Sequence, residues 1–124
     1  MSATTNGKKA KSCPAKASLR DRQLMTTEQA LSLEGLFCVL ANDTRLRLIH
    51  EIARHDEVCV TDLAEALEMK PQAVSNQLQR LSDKGIVATR RDGNNIFYRI
   101  LDDCVVILLE RGLCLNEETA KRSR

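Results

Sequence analysis

The stretch Thr61-Asp62-Leu63-Ala64-Glu65-Ala66-Leu67-Glu68-Met69-Lys70-Pro71-Gln72-Ala73-Val74-Ser75-Asn76-Gln77-Leu78-Gln79-Arg80-Leu81 reads as two short helices separated by a break. Leu63, Ala66 and Leu67 recur at the i, i+3, i+4 spacing of a single apolar stripe, so Asp62 to Met69 is a helix with Thr61 placed as its cap. Lys70-Pro71 interrupts it, because the residue before a proline is pushed out of helical geometry while the proline suits the first position of a new helix. In that second helix Val74, Leu78 and Leu81 line one face, and Gln72, Ser75, Asn76, Gln79 and Arg80 occupy the others. Those are donors and acceptors of the reach that base edges and phosphates in a major groove require. Gly85 stops the helix.

Beyond the stop, Ile86 to Arg91 and Ile96 to Ile100 are β-rich runs flanking Asp92-Gly93-Asn94-Asn95, and Asp-Gly is a strong hairpin signal. The hairpin is the wing of a winged helix-turn-helix. From Lys70 to Arg91 five basic residues stand against Asp83 alone, a local balance of +4 in a chain whose total is +2. A helical pair with a solvated polar face would show the same two stripes. The hairpin and the concentrated charge favour DNA.

At 124 residues, with no Trp, one Tyr and two Phe, the chain is a single domain whose core must be filled by Leu, Ile and Val. Such a small helical domain commonly completes its core by pairing with a second copy. No apolar run approaches the ~18 residues needed to span a bilayer, and the lysine-rich start lacks the apolar centre of a signal peptide. A cytoplasmic location without membrane attachment is expected. Five cysteines, an odd number, argue against a closed disulfide framework and for buried thiols, metal ligands or redox sensors.

Residues 1–24 read as a flexible basic arm, since Met1 to Arg22 carries six basic residues against Asp21. It either touches phosphates non-specifically or simply solubilises the chain. Residues 25–118 form the DNA-binding and dimerisation domain, and 119–124 a disordered tail. Thr26 and Gln29 stand at capping-box spacing before a helix whose core stripe is Leu33, Leu36, Phe37 and Leu40. Asn42 caps the next helix, from Asp43 to about Arg54, with Leu46, Leu48, Ile49 and Ile52 apolar. Glu57 to Val60 is a short extended segment able to pair with the wing. A last helix from Asp102 to about Leu115 is apolar nearly all round at Val105, Val106, Ile107, Leu108 and Leu109, which places it between its own domain and a partner. The fold class is mainly α with a small β-hairpin, dimeric through its N- and C-terminal helices.

This order of parts resembles the ArsR/SmtB family of bacterial metal-responsive repressors, from about Leu33 to Glu118. Four segments carry the likeness: Leu40 to Ile49, Val58 to Ala64, Ala73 to Leu81, and Arg91 to Tyr98. The resemblance implies a homodimer that blocks double-stranded operator DNA and releases it when a metal ion binds. It also implies a thiolate role for Cys59, just before the first helix of the reader, with Cys13 reaching across from the partner's arm and Asp62 nearby. Thr61 stands where some relatives carry a second cysteine. Cys59 as a small apolar residue and Cys13 as a free thiol are the plain alternatives.

Cys104 and Cys114 lie ten residues apart on the last helix. At ~1.5 Å and ~100° per residue they are ~15 Å and ~80° apart, too far to hold one ion within a subunit. If two copies of the helix pack antiparallel about Leu109, Cys104 of one meets Cys114 of the other, and two equivalent sites follow. Asp102 and Glu118 match the family's interfacial-helix ligand positions. Thiolates favour soft ions, Hg(II) or Cd(II), with Zn(II) allowed by carboxylate help. Cys38, off the core stripe, reads as a partly buried packing cysteine or a third thiolate, and His50 and His55 as surface residues.

In this reading Gln72, Ser75, Asn76 and Gln79 read or position bases, while Lys70, Arg80, Arg90, Arg91 and Asn95 hold phosphates or the adjacent minor groove. A redox switch joining Cys104 and Cys114 of two subunits is the alternative use of the same thiols. A thiol enzyme is disfavoured, since neither histidine neighbours a cysteine in sequence and there is no Gly-rich phosphate loop or carboxylate cluster. No small-molecule substrate is expected.

Overall fold

A computed structural model describes residues 16–122. Helix α1 (Thr27–Leu40) is followed by α2 (Asp43–Ala53), strand β1 (Val58–Cys59), α3 (Val60–Leu67), α4 (Pro71–Asp83), strands β2 (Val87–Asp92) and β3 (Asn95–Ile100), and α5 (Asp103–Arg122). Ahead of α1, a single 3-10 turn at Leu19–Asp21 is capped by Ser18, and its residues are exposed.

The caps follow local chemistry. Thr26 Oγ1 accepts the Gln29 N–H at 3.1 Å while Gln29 Oε1 accepts the Thr26 N–H at 2.9 Å, a full capping box. Asn42 Oδ1 accepts the Arg45 N–H at 3.0 Å and starts α2. Pro71 is the first residue of α4, after Lys70. The expected Thr61 cap is corrected: β1 hands the chain directly to α3, so Cys59 is the N-cap, without a side-chain cap bond, and Thr61 lies inside the helix. Helix α3 ends at Leu67 because Glu68 adopts the left-handed conformation, φ 57°.

The sheet has the order β1-β3-β2, antiparallel throughout, with Val58 opposite Tyr98, Cys59 opposite Phe97, and Asp92 opposite Asn95. The expected pairing of the 57–60 segment with the wing is present. Each wing strand runs one residue further than the sequence suggests, leaving Gly93 and Asn94 as the loop. Gly93 has φ 65°, whereas Asn94 is not in the left-handed region, the pattern of a II′ turn with glycine first rather than the I′ turn that Asp-Gly signals.

Leu48, Ile49, Ile52, Leu63, Val74, Leu78 and Leu81 are fully enclosed, so α2, α3 and α4 surround one core. The inner face of the sheet adds Val58, Val87, Tyr98 and Ile100, and burial pushes the Tyr98 phenol above its ordinary value. Two expectations about the outer helices change. In α1 only Leu40 is buried: Leu36 is half-buried, while Leu33 and Phe37 are exposed, Phe37 at 46%. Regular spacing marks an apolar stripe without saying whose surface it meets. Helix α5 runs to Arg122 rather than ending near Leu115, so positions 119–122 of the expected disordered tail are helical. Val105 anchors α5 to the core and Val106, Leu108 and Leu109 pack beside it, but Ile107, Leu113 and Leu115 face outward.

Candidate nucleic-acid interface and thiol positions

Helix α4 buries Val74, Leu78 and Leu81 and thereby turns Gln72, Asn76, Gln79 and Arg80 to the exterior. Ser75 is half-buried. Two i, i+4 bonds order these side chains: Gln72 Nε2 donates to Asn76 Oδ1 at 3.1 Å, and Gln79 Nε2 donates to Asp83 Oδ1 at 2.8 Å. Lys70 stands exposed at the entrance of α4, beside N–H groups that have no partner within the helix, an arrangement suited to an anion. The wing places Arg91 and Asn95 exposed near its tip.

Arg90, expected among the phosphate-holding residues, is engaged within its own chain. Its Nε donates to Glu57 Oε2 at 3.0 Å and its Nη2 to Glu57 Oε1 at 2.8 Å, with the guanidinium 4.9 Å from the Phe97 ring centroid. Bonding to Glu57 raises the Arg90 pKa further above its ordinary value. Arg90 thus fastens the wing to the segment before β1.

Register puts Cys59, Phe97 and Arg90 side by side across β1, β3 and β2, on the face opposite Val58 and Tyr98. Sequence reading missed Glu57 because its contact with Arg90 joins residues 33 apart, and Phe97 because only the strand register brings it beneath the guanidinium. It also missed Arg45, which sits within the Leu40 to Ile49 segment: Nε donates to the Val39 carbonyl at 2.6 Å and Nη1 to Gln77 Oε1 at 2.7 Å.

The thiols are spread over the molecule. Cys38 is an exposed free thiol on α1, a correction to the partly buried reading. Cys59 is free and half-buried at the start of α3, and Cys114 is free and exposed on α5. Cys104 lies half-buried in the first turn of α5, its N–H donating to Asp102 Oδ1 at 2.8 Å and its sulfur in a disulfide bond. Cys13 lies outside the described residues. Among the described residues of one chain, no three His, Cys, Asp or Glu side chains come together to hold a metal ion. An ion site built from them needs a second copy or residues beyond that range.

Both histidines are exposed surface residues. His55 Nε2 lies 3.1 Å from Glu51 Oε2, and Arg54 Nη1 donates to Glu51 Oε1 at 2.8 Å. The His55 hydrogen bond, with Arg54 beside it, lowers the Glu51 pKa against a smaller opposing effect of burial.

Residues 42–95 match the MarR family model. The chain is 60% identical to the AntR antimony-specific transcriptional repressor, whose crystal structure aligns over 88% of this chain and 98% of that one with a TM-score of 0.74. It is 40% identical over 86 residues to the transcriptional repressor SmtB homolog of Synechocystis sp., which spans 69% of this chain but 64% of that protein's length. The homodimeric winged helix-turn-helix domain Mb0332 of Mycobacterium bovis, described as a possible ArsR-family transcriptional regulator, is 28% identical over 78% of this chain and 91% of that domain, with a TM-score of 0.66.

Proposed function

The chain belongs to the ArsR/SmtB family of metal-responsive transcriptional repressors, and from that premise we propose that it binds operator DNA as a homodimer and releases it when a thiophilic ion occupies cysteine thiolates at the subunit interface. Helix α5 is the observation that carries this reading. Its second half makes no use of its own core, yet bears Leu113, Leu115 and Cys114, while α1 bears Leu31, Leu33 and Phe37 in the open. Two copies packed through α1 and α5 cover these side chains and bring Cys104 of one α5 to Cys114 of the other.

The donors suit a soft ion. Once the Cys104 disulfide is reduced, two thiolates per site outweigh Asp102 and Glu118, whose carboxylates are already engaged by the Cys104 N–H at 2.8 Å and by Lys121 at 3.5 Å. The similarity to an antimony-specific repressor puts trivalent antimony first, ahead of Hg(II) and Cd(II), with Zn(II) last. Cys59 and Cys13 form the second candidate group. Bound thiolates fix the distance between the two α4 helices. If that distance mismatches the half-sites, operator affinity falls by a coupling of typically ~1–3 kcal/mol.

Within the interface, Gln72, Ser75, Asn76 and Gln79 meet bases, and Lys70, Arg80, Arg91 and Asn95 meet phosphates or the minor groove. Fluorescence anisotropy on a duplex selected from random sequences by the reduced protein tests the reading. Trivalent antimony, Cd(II), Hg(II), Zn(II) and trivalent arsenic are titrated in turn. Release by at least one thiophile, abolished by Cys104→Ser or Cys114→Ser, is expected. Absence of release by all five overturns the sensing part, and absence of any salt-sensitive DNA binding overturns the whole.

A thiol redox switch joining Cys104 and Cys114 of two subunits is the second reading; within one chain Cys114 is free and the disulfide of Cys104 is made elsewhere, so the switch requires that bond to exchange. It requires oxidant, without metal, to release the duplex and to produce a covalent dimer by intact mass under non-reducing conditions.

A further inference from the structure

We infer that Arg45 and Gln77 form a strut through which α1 sets the position of the DNA-reading helix α4, an inference that rests on the repressor reading above. Arg45 lies in the first turn of α2, with its own N–H fixed by Asn42 Oδ1. Its guanidinium is a planar set of donors with no acceptor, so its two bonds point along fixed directions. One goes to the Val39 carbonyl at 2.6 Å, in the last turn of α1, where carbonyls have no partner within the helix. The other goes to Gln77 Oε1 at 2.7 Å, midway along α4. Both side chains are half-buried, where a severed charge-assisted bond is not fully replaced by water.

The side chain of Lys84 also reaches this edge of α1. Gly35 precedes Val39 by one turn, and a Cβ on Gly35 would lie 3.2 Å from Lys84 Nζ, the residue closing α4. Helix α1 is therefore joined to the middle of α4 through Arg45 of α2. Apolar side chains can slide past one another when packing changes, whereas a directional bond between fixed donors and one acceptor carries displacement with it. Since α1 also bears the exposed Leu31, Leu33 and Phe37 that a second copy covers, it is the element that senses the geometry between subunits. Gln77 points away from the DNA-facing set of α4, into this contact, and acts as a positioning residue.

The test compares Gln77→Ala, which deletes the acceptor, with Gln77→Glu, which keeps it. Operator Kd is measured for each with and without trivalent antimony, or with whichever ion of the panel above releases the wild-type chain most. A wild-type ratio of about 5- to 150-fold is expected to shrink to about threefold or less in Gln77→Ala, with dimer mass and ion stoichiometry unchanged, and to persist in Gln77→Glu. If Gln77→Ala fails to fold, Gln77→Met, of similar volume and without the acceptor, replaces it. A wild-type ratio in the acceptor-less variant overturns the strut, as does equal loss in Gln77→Glu. A wild-type chain that no ion releases overturns the sensing reading itself, and the strut with it.

Discussion

Glu57 holds Arg90 at two points, with Oε1 2.8 Å from Nη2 and Oε2 3.0 Å from Nε, across 33 residues of chain. A guanidinium so occupied neutralises a carboxylate rather than a phosphate, and it condenses no counterions of the DNA. Arg91, its neighbour on β2, is exposed near the wing tip. Arg91→Ala is therefore expected to reduce the slope of log K against log salt by about one per subunit, whereas Arg90→Ala weakens binding by loosening the wing and leaves that slope nearly unchanged. Anisotropy at several salt concentrations separates the two, and equal slope changes would return Arg90 to the phosphate-binding set.

Glu68 and Gly85 occupy the same position in two identical helix endings. The Met69 N–H donates to the Ala64 carbonyl and the Glu68 N–H to Glu65, just as Ile86 donates to Leu81 and Gly85 to Ser82. Glu68 has φ 57° and Gly85 φ 77°, so one of the two motifs carries a Cβ in left-handed backbone. Glu68→Gly removes a strain of ~1–2 kcal/mol and adds ~0.4–1 kcal/mol of unfolded-chain entropy, a net gain of roughly 0.5–1 kcal/mol. Gly85→Ala meets no atom within 4 Å yet is expected to destabilise by about 1 kcal/mol, because the cost lies in the backbone rather than in space. Urea unfolding of both variants reads the opposite signs.

These cases show which parts of the molecule are legible along the chain. Thr26 with Gln29, Asn42, Pro71 and Gly85 act on groups within a turn of themselves, and each helix boundary that they control lies where local chemistry puts it. Thr61 failed as a cap because pairing of Cys59 with Phe97, a contact 38 positions away, decides where β1 yields to α3. Arg90 and Arg45 carry no mark of their partners Glu57 and Gln77 for the same reason. Leu33 and Phe37 obey helical periodicity, but periodicity is indifferent to whether the facing surface belongs to the same chain.

The Glu51 carboxylate, bonded to His55 and Arg54, has its pKa lowered on folding. A depressed carboxylate stabilises the fold at pH values above its unfolded pKa, and that contribution is lost as pH falls through the folded value. Both partners are largely exposed, so the contribution stays within about 0.3–0.5 kcal/mol, that of a helical surface pair. Glu51→Gln is expected to lower stability slightly at pH 6 and to equal the wild type at pH 3, read by urea midpoints at the two pH values. A deficit that persists at pH 3 would assign Glu51 a packing role instead.

Leu48 and Phe37 are both apolar helix residues, yet their substitutions separate two kinds of burial. Leu48 is fully enclosed within one chain, so Leu48→Ala costs about 2–5 kcal/mol of folding stability whatever the state of assembly. Phe37, at 46% exposure, and Leu113, at 55%, have little of their own chain to lose. Phe37→Glu and Leu113→Glu are therefore expected to leave a diluted, monomeric sample nearly as stable as wild type while shifting sedimentation from dimer to monomer at micromolar concentration. Operator affinity should fall by about 100-fold or more in both, because two readers that arrive separately lose the effective concentration that a shared interface supplies. A wild-type chain sedimenting as a monomer, or a Leu113→Glu chain that stays dimeric, would remove α5 from the interface, and with it the meeting of Cys104 and Cys114.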